Sequence, residues 1–356
     1  MQNQNTFSNL SNKEKDIMTV SIIKGLIMDT VRYANSGHTG GPMSSSDFAY
    51  ILYKEFLNFD PNNPNWFNRD RFILSAGHES ALQYVLLTMI GWLKLDDLKK
   101  FRQLHSKTPG HPEIEIDGVE CTTGPLGQGF GMSTGMALAE SFLHNTLKDI
   151  DKEASGLVDH FTYVLASDGD MQEPITLGSA SLSGHLGLSK LIVFYDSNEV
   201  QISGGVSRSD STDYGAVFTG FGWHVQKING HDHDSIRFAI KKAQNSNCPS
   251  LIIGETVMAK GSAGMEGDFN THGAPLPQDE IDATKSKLEL KPDPFYLPEE
   301  VVSYFKSNFH FQTKSFLFTY NFCILQQFLP LSTSPTFVNG FNLCNESKYC
   351  EYFKYS

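Results

Sequence analysis

The sequence contains no long hydrophobic run. None of its 356 residues belongs to an uninterrupted apolar stretch of roughly 18 or more, the length that a membrane-spanning helix requires. The opening residues, MQNQNTFSNLSNKEKDI, have neither the apolar core of a secretion signal nor the arginine-rich pattern of an organelle-targeting peptide. These absences predict a protein without a membrane partner.

Cysteine and positive charge are both scarce. The chain has 5 cysteines with no C-x-x-C spacing, and an odd number without a secretion signal indicates reduced thiols and a cytoplasmic protein. Lysine and arginine number 28 against 40 aspartates and glutamates, so the formal net charge is −12. Because nucleic-acid binding needs clustered cations, this balance argues against a nucleic-acid partner, although a phosphorylated metabolite needs only a local cationic or metal-filled pocket.

Apolar segments of strand length alternate with helical patterns along most of the chain. Strands are predicted at RFILS (71–75), FTYVLA (161–166), LIVFY (191–195) and residues 251–257. Helical patterns lie between them. This alternation predicts the α/β class, with a mostly parallel sheet and helices on both of its faces.

Local signals predict several helix boundaries. Ser11 and Glu14 have capping-box spacing before an apolar stripe, which predicts a helix of about six turns ending at residues 35–37. A second helix is predicted to begin at Ser44, after the loop GHTGGP, and to end near Asp60. The glycines at positions 124, 127, 129 and 131 are predicted to precede another helix.

The last fifty residues differ in composition from the rest. Residues 307–356 include thirteen Phe or Tyr, a single Gly, and no Ala, Asp or Arg. We therefore predict one domain at 1–306 and a poorly ordered tail at 307–356 that is foreign to it. Such a tail is typical of a reading frame that has left the original gene, although a functional tail is the alternative.

Two polar residues follow neighbouring predicted strands. Asp168 comes after FTYVLA and Asn198 after LIVFY, and their separation of 198 − 168 = 30 residues fits one strand–helix–strand unit. Parallel strand ends meet at one edge of a sheet, where ligands bind. A carboxylate and an amide oxygen suit Mg²⁺ or Ca²⁺ better than Zn²⁺, so we predict a metal–diphosphate site here.

A glycine-rich turn and several loop histidines are the other chemical signals. The turn GPLGQG (124–129) precedes a helix, and its backbone N–H groups suit a pyrophosphate, although alone this signal is weak. His38, His78, His111 and His272 all lie in loops beside Gly or Pro, which suits rings that project into a cleft. His185 and His231 are interpreted as structural. No Cys/His spacing indicates zinc.

Eight phrases in order resemble the amino-terminal half of the transketolase family, between about residues 10 and 306. They are ANSGHTGGP (34–42), DRFILSAGH (70–78), HSKTPGHPE (105–113), TTGPLGQG (122–129), SDGDMQE (167–173), SLSGHLGL (181–188), YDSN (195–198) and THGAPL (271–276). The resemblance implies a thiamine-diphosphate-binding fold, here its diphosphate-binding domain. The loop at 105–113 favours this family over a related thiamine enzyme that makes deoxyxylulose phosphate.

The resemblance also implies roles for individual residues. Mg²⁺, for which Ca²⁺ or Mn²⁺ can substitute, would be held by Asp168, Asn198 and the Val200 carbonyl. The residues implied to bind thiamine diphosphate are His78, Gly124, Pro125, Leu126, Gly169, Glu173, Asn198 and His272. Those implied to bind substrate and to take part in catalysis are His38, His111 and His272. Ser167 and Pro174 replace the family's usual glycines, which affects the backbone near the proline.

The implied reaction transfers a two-carbon ketol unit from a ketose phosphate to an aldose phosphate. In the family, a glutamate on a second, pyrimidine-binding domain activates the cofactor across a homodimer interface. We find no counterpart of that domain in residues 307–356, so we expect this chain to need it from a partner and to be nearly inactive alone. The alternative is a truncated, non-catalytic product that at most binds the cofactor.

Overall fold

A computed structural model describes residues 7–150, 152 and 154–309 of the chain. Its strands are β1 (Arg71–Leu74), β2 (Thr162–Ser167), β3 (Leu191–Ser197), β4 (Val200–Gln201), β5 (Gly204–Gly205), β6 (His224–Asn229) and β7 (Ser250–Glu255). Its helices are α1 (Asn12–Ala34), α2 (Gly40–Ser44), α3 (Ser46–Ile51), α4 (Ser80–Ile90), α5 (Leu95–Leu98), α6 (Gln128–Ile150), α7 (Asp168–Met171), α8 (Pro174–Leu186), α9 (Tyr214–Gly220), α10 (His233–Gln244), α11 (Gln278–Lys287) and α12 (Glu299–Lys306). Nearly all of the predicted tail lies outside the described residues.

The central sheet has five parallel strands in the order β1-β2-β3-β7-β6. Adjacent strands β2 and β3 are connected through α8, the strand–helix–strand unit that the spacing predicted. Strands β4 and β5 form a separate two-stranded antiparallel ribbon just beyond the end of β3. The carboxyl ends of β1, β2, β3 and β7 therefore share one edge of the sheet.

Alternate residues of the sheet face two different cores. Leu165, Phe194 and Ile252 belong to a cluster with residues of α1, α3, α4 and α10. Val164, Val193 and Leu251 belong to a second cluster with residues of α6, α8 and α9. Because side chains alternate along a strand, both faces of the sheet are covered by helices, and the predicted α/β class is confirmed.

The first helix matches its prediction closely. Helix α1 is N-capped by Ser11, whose side chain accepts from the Glu14 amide while the Glu14 carboxylate accepts from the Ser11 amide. It ends at Asn35, which has a left-handed backbone with φ of 48°. Asn tolerates this conformation better than most residues, so the predicted stop is a true C-cap.

Three local predictions were wrong. Helix α2 begins at Gly40, before the predicted Ser44, because Pro42 fits the first turn of a helix, where its missing N–H is not needed. The predicted second helix is divided into α2, α3 and a π-helical turn that ends at Phe56. Gly129 and Gly131 lie inside α6 rather than before it.

Strand β6 was missed because it is a half-exposed edge strand. Its sequence, HVQKIN, has a mostly polar composition, and only Gln226 is buried. Edge strands pack one side against the protein and leave the other in solvent, so their hydrophobic signal is weak.

None of the helices in the described residues combines the length and apolar character that crossing a membrane requires.

Candidate functional site

The structure brings Asp168 and Asn198 to the same edge of the sheet. Strands β2 and β3 pair in register up to Ser167 and Asp196, so Asp168 and Asn198 each follow a strand end at nearly the same level. Both side chains are buried, with 3% and 7% of their surface exposed. The convergence predicted from their spacing is therefore present.

Asp168 holds one carboxylate oxygen that no other described residue uses. Its Oδ1 accepts a hydrogen bond of 2.5 Å from the Tyr195 hydroxyl, whereas Oδ2 is buried without a hydrogen-bond partner in the described part of the chain. Burial raises the pKa of Asp168 to about 7, and the charges of Asp196 and Glu199 act in the same direction. A buried carboxylate in this state is stabilised by a cation.

The loop after β3 turns back towards Asp168. The Asn198 Oδ1 accepts from the Val200 amide at 3.0 Å, and its Nδ2 donates to Asp196 at 2.7 Å. Glu199, between Asn198 and Val200, has a left-handed backbone with φ of 63°. The Glu199 backbone N–H also acts on Asp168, where it opposes the rise in pKa. The turn therefore brings the backbone at Glu199, between Asn198 and Val200, into contact with Asp168.

This set of donors fits a hard divalent cation. The groups available are the orphaned Asp168 Oδ2, the second lone pair of Asn198 Oδ1 and the carbonyl of half-buried Val200. Mg²⁺ prefers oxygen ligands of these kinds and completes its shell with phosphate oxygens and water. Asp168, Asn198 and Val200 therefore fit the Mg²⁺ or Ca²⁺ site that was predicted from the two residues at the strand ends.

Sequence reasoning missed Asp170, the most heavily hydrogen-bonded carboxylate at this edge. Its Oδ1 accepts from the Ser75 hydroxyl at 2.6 Å and the Gly127 amide at 2.7 Å. Its Oδ2 accepts from the amide and the hydroxyl of Ser167 at 2.9 and 2.8 Å. Asp170 thus ties the ends of β1 and β2 to the glycine-rich turn.

Asp196 was also missed, and it has a similar function. It accepts from the Ser44 hydroxyl at 2.6 Å, from Thr256 at 2.5 Å and from Asn198. It therefore joins α2, the end of β3 and the residue after β7. Each missed acid lies two positions from a predicted residue, Asp170 from Asp168 and Asp196 from Asn198, and this proximity was the available signal in the sequence. We refer to Asp168, Asp170 and Asp196 as the carboxylate edge.

The glycine-rich turn is held mainly by contacts within the protein. The Gly127 amide donates to Asp170, and the Phe130 amide donates to the Ser75 hydroxyl at 3.0 Å. The Gly127 N–H of the turn is thus already used, which leaves fewer N–H groups for a pyrophosphate than the motif suggests. Pro125 is exposed, and its carbonyl accepts from the Gln128 amide.

Gly169 and Leu126 are in close contact. A Cβ atom at Gly169 would lie 2.6 Å from the Leu126 Cδ1, so a larger residue at this position beside Asp168 would displace the Leu126 side chain. Glu173 lies next to the turn on the same side, since a Cβ at Gly127 would be 2.8 Å from the Glu173 Cβ. The predicted cofactor-binding residues Leu126, Gly169 and Glu173 are therefore neighbours of the turn.

Both local departures from the family pattern are accommodated. Ser167 donates its amide and hydroxyl to Asp170, so the serine strengthens the strand end. Pro174 is the first residue of α8, where proline is favoured because the first N–H groups of a helix have no partner within it. The backbone near Pro174 is therefore regular.

Three predicted histidines form one cluster. The ring centroids of His38 and His78 are 5.0 Å apart, those of His78 and His272 are 5.3 Å apart, and those of His38 and His272 are 5.5 Å apart. The Nδ1 atoms of His38 and His272 are buried and have no partner among the described residues. We call these three residues the histidine cluster.

The histidine cluster is uncharged at neutral pH. Burial and the charge of His272 lower the pKa of His38 to about 4, and burial with the charge of His38 lowers the pKa of His78 well below its ordinary value. Burial lowers the pKa of His272 as well. A neutral imidazole carries one donor and one acceptor, so the cluster can hydrogen-bond hydroxyl groups and exchange protons with them.

His111 and Ile202 lie at the border of the cluster. His111 is exposed and rests against Gly124, where an added Cβ would be 3.3 Å from its Cγ. Ile202, which sequence reasoning missed, is 69% exposed and close to Gly273, whose Cβ would also approach the His38 Nε2 at 3.7 Å. An exposed apolar side chain beside a polar cluster offers a contact surface for the apolar part of a ligand.

His231 has a structural role, as interpreted from its turn. Its Nε2 accepts from the Val257 amide at 2.9 Å, so Nδ1 carries the proton and donates to Asp47 at 3.0 Å. His185 lies in the last turn of α8.

Comparison with known proteins gives a family match over most of the chain. Residues 15–318 match the family model described as transketolase, thiamine diphosphate binding domain. A transketolase from Staphylococcus epidermidis is 48% identical over 297 residues, which are 83% of this chain and 44% of that protein. Transketolase 2 from Vibrio parahaemolyticus is 48% identical over 282 residues, 78% of this chain and 42% of that one.

Solved structures give the same result. The crystal structure of transketolase from Campylobacter jejuni matches with a TM-score of 0.80 and 41% identity, covering 84% of this chain and 46% of that one. Transketolase from Leishmania mexicana matches with a TM-score of 0.79 and 38% identity, over 82% of this chain and 44% of that one. The chain thus spans somewhat less than half the length of the relatives it matches.

Proposed function

Because this chain belongs to the transketolase family, within the part that carries the thiamine-diphosphate-binding domain, we propose that it supplies the metal–diphosphate half of a ketol transferase. The reaction proposed is transfer of a two-carbon ketol unit from a ketose phosphate to an aldose phosphate. The observation that carries the proposal is the buried Asp168 Oδ2, which lacks a partner in the described residues and belongs to the residue before Gly169, itself packed against Leu126 of the glycine-rich turn.

Each part of the site has a distinct proposed role. Asp168, Asn198 and the Val200 carbonyl would hold Mg²⁺, or Ca²⁺ or Mn²⁺ in its place, and through it the diphosphate. The residues proposed to line the cofactor are His78, Gly124, Pro125, Leu126, Gly169, Glu173 and His272. When bound, thiamine diphosphate supplies the nucleophilic carbon on which the transfer depends.

The histidines would act on the sugar. His38, His111 and His272 are proposed to hydrogen-bond the substrate's hydroxyl and carbonyl oxygens. Neutral imidazoles with a free Nδ1 can accept a proton from one oxygen and return it to another, which is the requirement for general acid–base catalysis. The low pKa of His38 keeps it in this form throughout the physiological range.

A partner is proposed for the exposed face of α6 and α8. Large apolar side chains lie on this face, including Phe142 at 65% exposure and Ile175 at 49%. Exposed apolar patches on adjacent helices are typical of association surfaces. The proposed occupant is a second copy of the chain, as in a homodimer, or a separate chain that carries the pyrimidine-binding domain. Compartment and domain limits stay as predicted: the cytoplasm, with a domain at 1–306 and a foreign tail at 307–356.

Two binding and activity measurements test this function. We expect thiamine diphosphate to bind the purified chain in calorimetry with Mg²⁺ present and to lose that binding in EDTA. We also expect ketol transfer from a ketose phosphate only after the pyrimidine-binding half of a transketolase is added. Absence of Mg²⁺-dependent binding by the folded chain would contradict the proposal.

The second candidate is a non-catalytic remnant, favoured by the composition of residues 307–356. It predicts cofactor binding without turnover, even after the pyrimidine-binding half is added. Reading the gene beyond codon 306 separates the two candidates further. An in-register second domain in another frame indicates a remnant, whereas an intact separate gene for that domain indicates a split enzyme.

A further inference from the structure

Three side chains of types that bind metals lie together at the edge of the sheet opposite the carboxylate edge. Glu140 and His144 are one helical turn apart on α6, and Asp159 precedes β2. One donor atom from each of the three lies within 4.8 Å of the other two. Asp168 follows β2 at its far end, and the six residues of that strand span roughly 20 Å, so this group is separate from the predicted Mg²⁺ site.

One ring nitrogen of His144 is bonded to the backbone. Its Nδ1 lies 2.8 Å from the Val158 carbonyl oxygen, which can only accept, so Nδ1 carries the proton of the neutral ring. The Nε2 atom therefore holds the lone pair. Histidines that bind metals generally donate their second ring N–H to a carbonyl or a carboxylate in this way, which fixes the tautomer and the orientation of the ring. His144 is thus already in the form that a metal requires.

Lys190 supplies a cation to the two carboxylates of this group. Its ammonium lies 2.6 Å from the Glu140 Oε1 and 2.5 Å from the Asp159 Oδ1. Glu140 is only 4% exposed, so its charge requires a cation nearby. Among these three side chains, however, one positive charge faces two negative charges. A divalent cation in the place of the ammonium would balance both carboxylates.

A pocket of about 180 Å³ adjoins the group. It is lined by Glu140, His144 and Lys190, together with neighbouring residues of α6 and of the segment that joins α8 to β3. Because one water molecule occupies about 30 Å³ in the liquid, the pocket has room for several. A metal held by three protein groups needs such water to complete its coordination. The Lys190 side chain, which is 22% exposed, also has space to move aside.

We propose that Glu140, His144 and Asp159 form a binding site for a divalent transition metal of the Zn²⁺ type, which displaces the ammonium of Lys190 when it binds. One imidazole nitrogen with two carboxylate oxygens suits Zn²⁺, whereas Mg²⁺ and Ca²⁺ prefer oxygen ligands alone. Cysteine and histidine spacing could not indicate this site, because carboxylates supply two of its three ligands. The metal links α6 to the segment before β2, so its binding stabilises the folded chain by mass action.

The ring signals of His144 in proton–carbon NMR spectra of the full chain are the direct readout. The loss of one set of histidine signals in His144→Gln identifies them. Zn²⁺ is the probe, added in the presence of excess Mg²⁺ and thiamine diphosphate so that the predicted Asp168 site is occupied. We expect the His144 signals to shift at Zn²⁺ concentrations below about 0.1 mM, and Mg²⁺ alone to leave them unchanged. EDTA should reverse the shift.

Variants separate a metal site from a simple ion pair, with Zn²⁺ affinity measured by calorimetry. His144→Gln should weaken binding by about tenfold or more, because it removes one of three ligands. Lys190→Met should strengthen binding about tenfold, because it removes a like charge at hydrogen-bond distance from both carboxylates. The matched controls His105→Gln, in an exposed loop, and Lys241→Met, on the exposed side of α10, should each change it less than about twofold.

Unshifted His144 signals at about 0.1 mM Zn²⁺ would overturn the proposal, as would a shift confined to the histidine cluster. Equal affinities in Lys190→Met and the wild type would show that the metal does not displace the ammonium. Thermal unfolding checks the fold of each variant, and the wild-type shift decides the question even if a variant does not fold. Ketol transfer and thiamine diphosphate binding do not enter this readout, so the proposed function can fail while the His144 signals still respond to Zn²⁺.

Discussion

The carboxylate edge and the histidine cluster lie at the same end of the sheet, but their polar atoms are satisfied differently. Asp170 and Asp196 have their hydrogen bonds supplied by neighbouring strands, loops and helices. In the histidine cluster, by contrast, two ring nitrogens are buried without partners in the described residues. Asp170 and Asp196 therefore form a scaffold whose hydrogen bonds are complete, whereas the histidine cluster retains polar atoms that can bind groups from outside the chain.

Asp168 lies at the carboxylate edge with Asp170 and Asp196, but it resembles the histidine cluster in having a buried polar atom without a partner in the described residues. One of its oxygens is held by Tyr195, and the other is orphaned. The difference teaches that burial alone does not identify a functional acid. An unfilled hydrogen-bonding capacity at a rigid position does so more reliably.

The largest expected effect is loss of the scaffold through Asp170→Ala. Removing the carboxylate leaves four buried donors from Ser75, Gly127 and Ser167 unpaired, so we expect the free energy of unfolding to fall by about 4 kcal/mol. Urea unfolding measures this change. Asp96→Ala, which removes an exposed acid paired only across one helical turn, should cost less than about 0.5 kcal/mol. Equal small effects in both variants would show that Asp170 does not hold the edge together.

Glu79 is a buried acid that is not among the predicted site residues. It tests whether a carboxylate without hydrogen-bond partners in the described residues must belong to the site. Glu79 follows His78, is fully buried, and has neither oxygen in a hydrogen bond of ordinary geometry within the described residues, although the nearby Ser45 hydroxyl opposes the rise in its pKa. Burial, followed by the charge of Asp196, raises its pKa well above the ordinary value. The folded protein then retains a proton that the unfolded chain releases near pH 4.5, so stability falls as pH rises above that value.

Glu79→Gln removes this pH dependence because the amide cannot ionise. At pH 8 we expect the variant to be more stable than the wild type by about 2 kcal/mol, since an unpaired buried carboxylate costs several kcal/mol. At pH 4, where both side chains are neutral, the two proteins should unfold at similar urea concentrations. A wild-type advantage at pH 8 would mean that the ionised carboxylate has a stabilising partner.

The histidine cluster should respond to pH in the opposite direction. The pKa of His38 is lowered to about 4, so the folded state resists a proton that the unfolded chain binds near pH 6.5. Stability is therefore complete above pH 6.5 and is lost as pH falls towards 4. We expect His38→Gln to reduce the loss between pH 7 and pH 5 by about 1–2 kcal/mol. An NMR titration of His38 with a midpoint near 6.5 would contradict this account.

The sequence predicted the scaffold's outline well because its signals are local. The capping box at Ser11, the left-handed stop at Asn35 and the apolar strands are each written in a few adjacent residues. The 30-residue spacing of Asp168 and Asn198 also sufficed to place both at one edge. What local patterns could not show was which polar atoms are already used.

The misses have a common physical origin in contacts distant along the chain. The partners of Asp170 are as far away as Ser75, and those of Asp196 include Ser44 and Thr256. From the sequence alone, Asp170 is therefore interpreted as part of a turn. The glycine-rich turn is likewise predicted to have more N–H groups available for an anion than the structure leaves.

The most direct test of the central claim is calorimetry of thiamine diphosphate binding to Asp168→Asn with Mg²⁺ present. The amide keeps the shape of the side chain but removes the charge from the orphaned oxygen. We expect binding to weaken by roughly 100-fold or more, while Asp96→Asn binds like the wild type. If Asp168→Asn binds the cofactor as tightly as the wild type in Mg²⁺, Asp168 is not the metal ligand and the proposed role of the carboxylate edge is wrong.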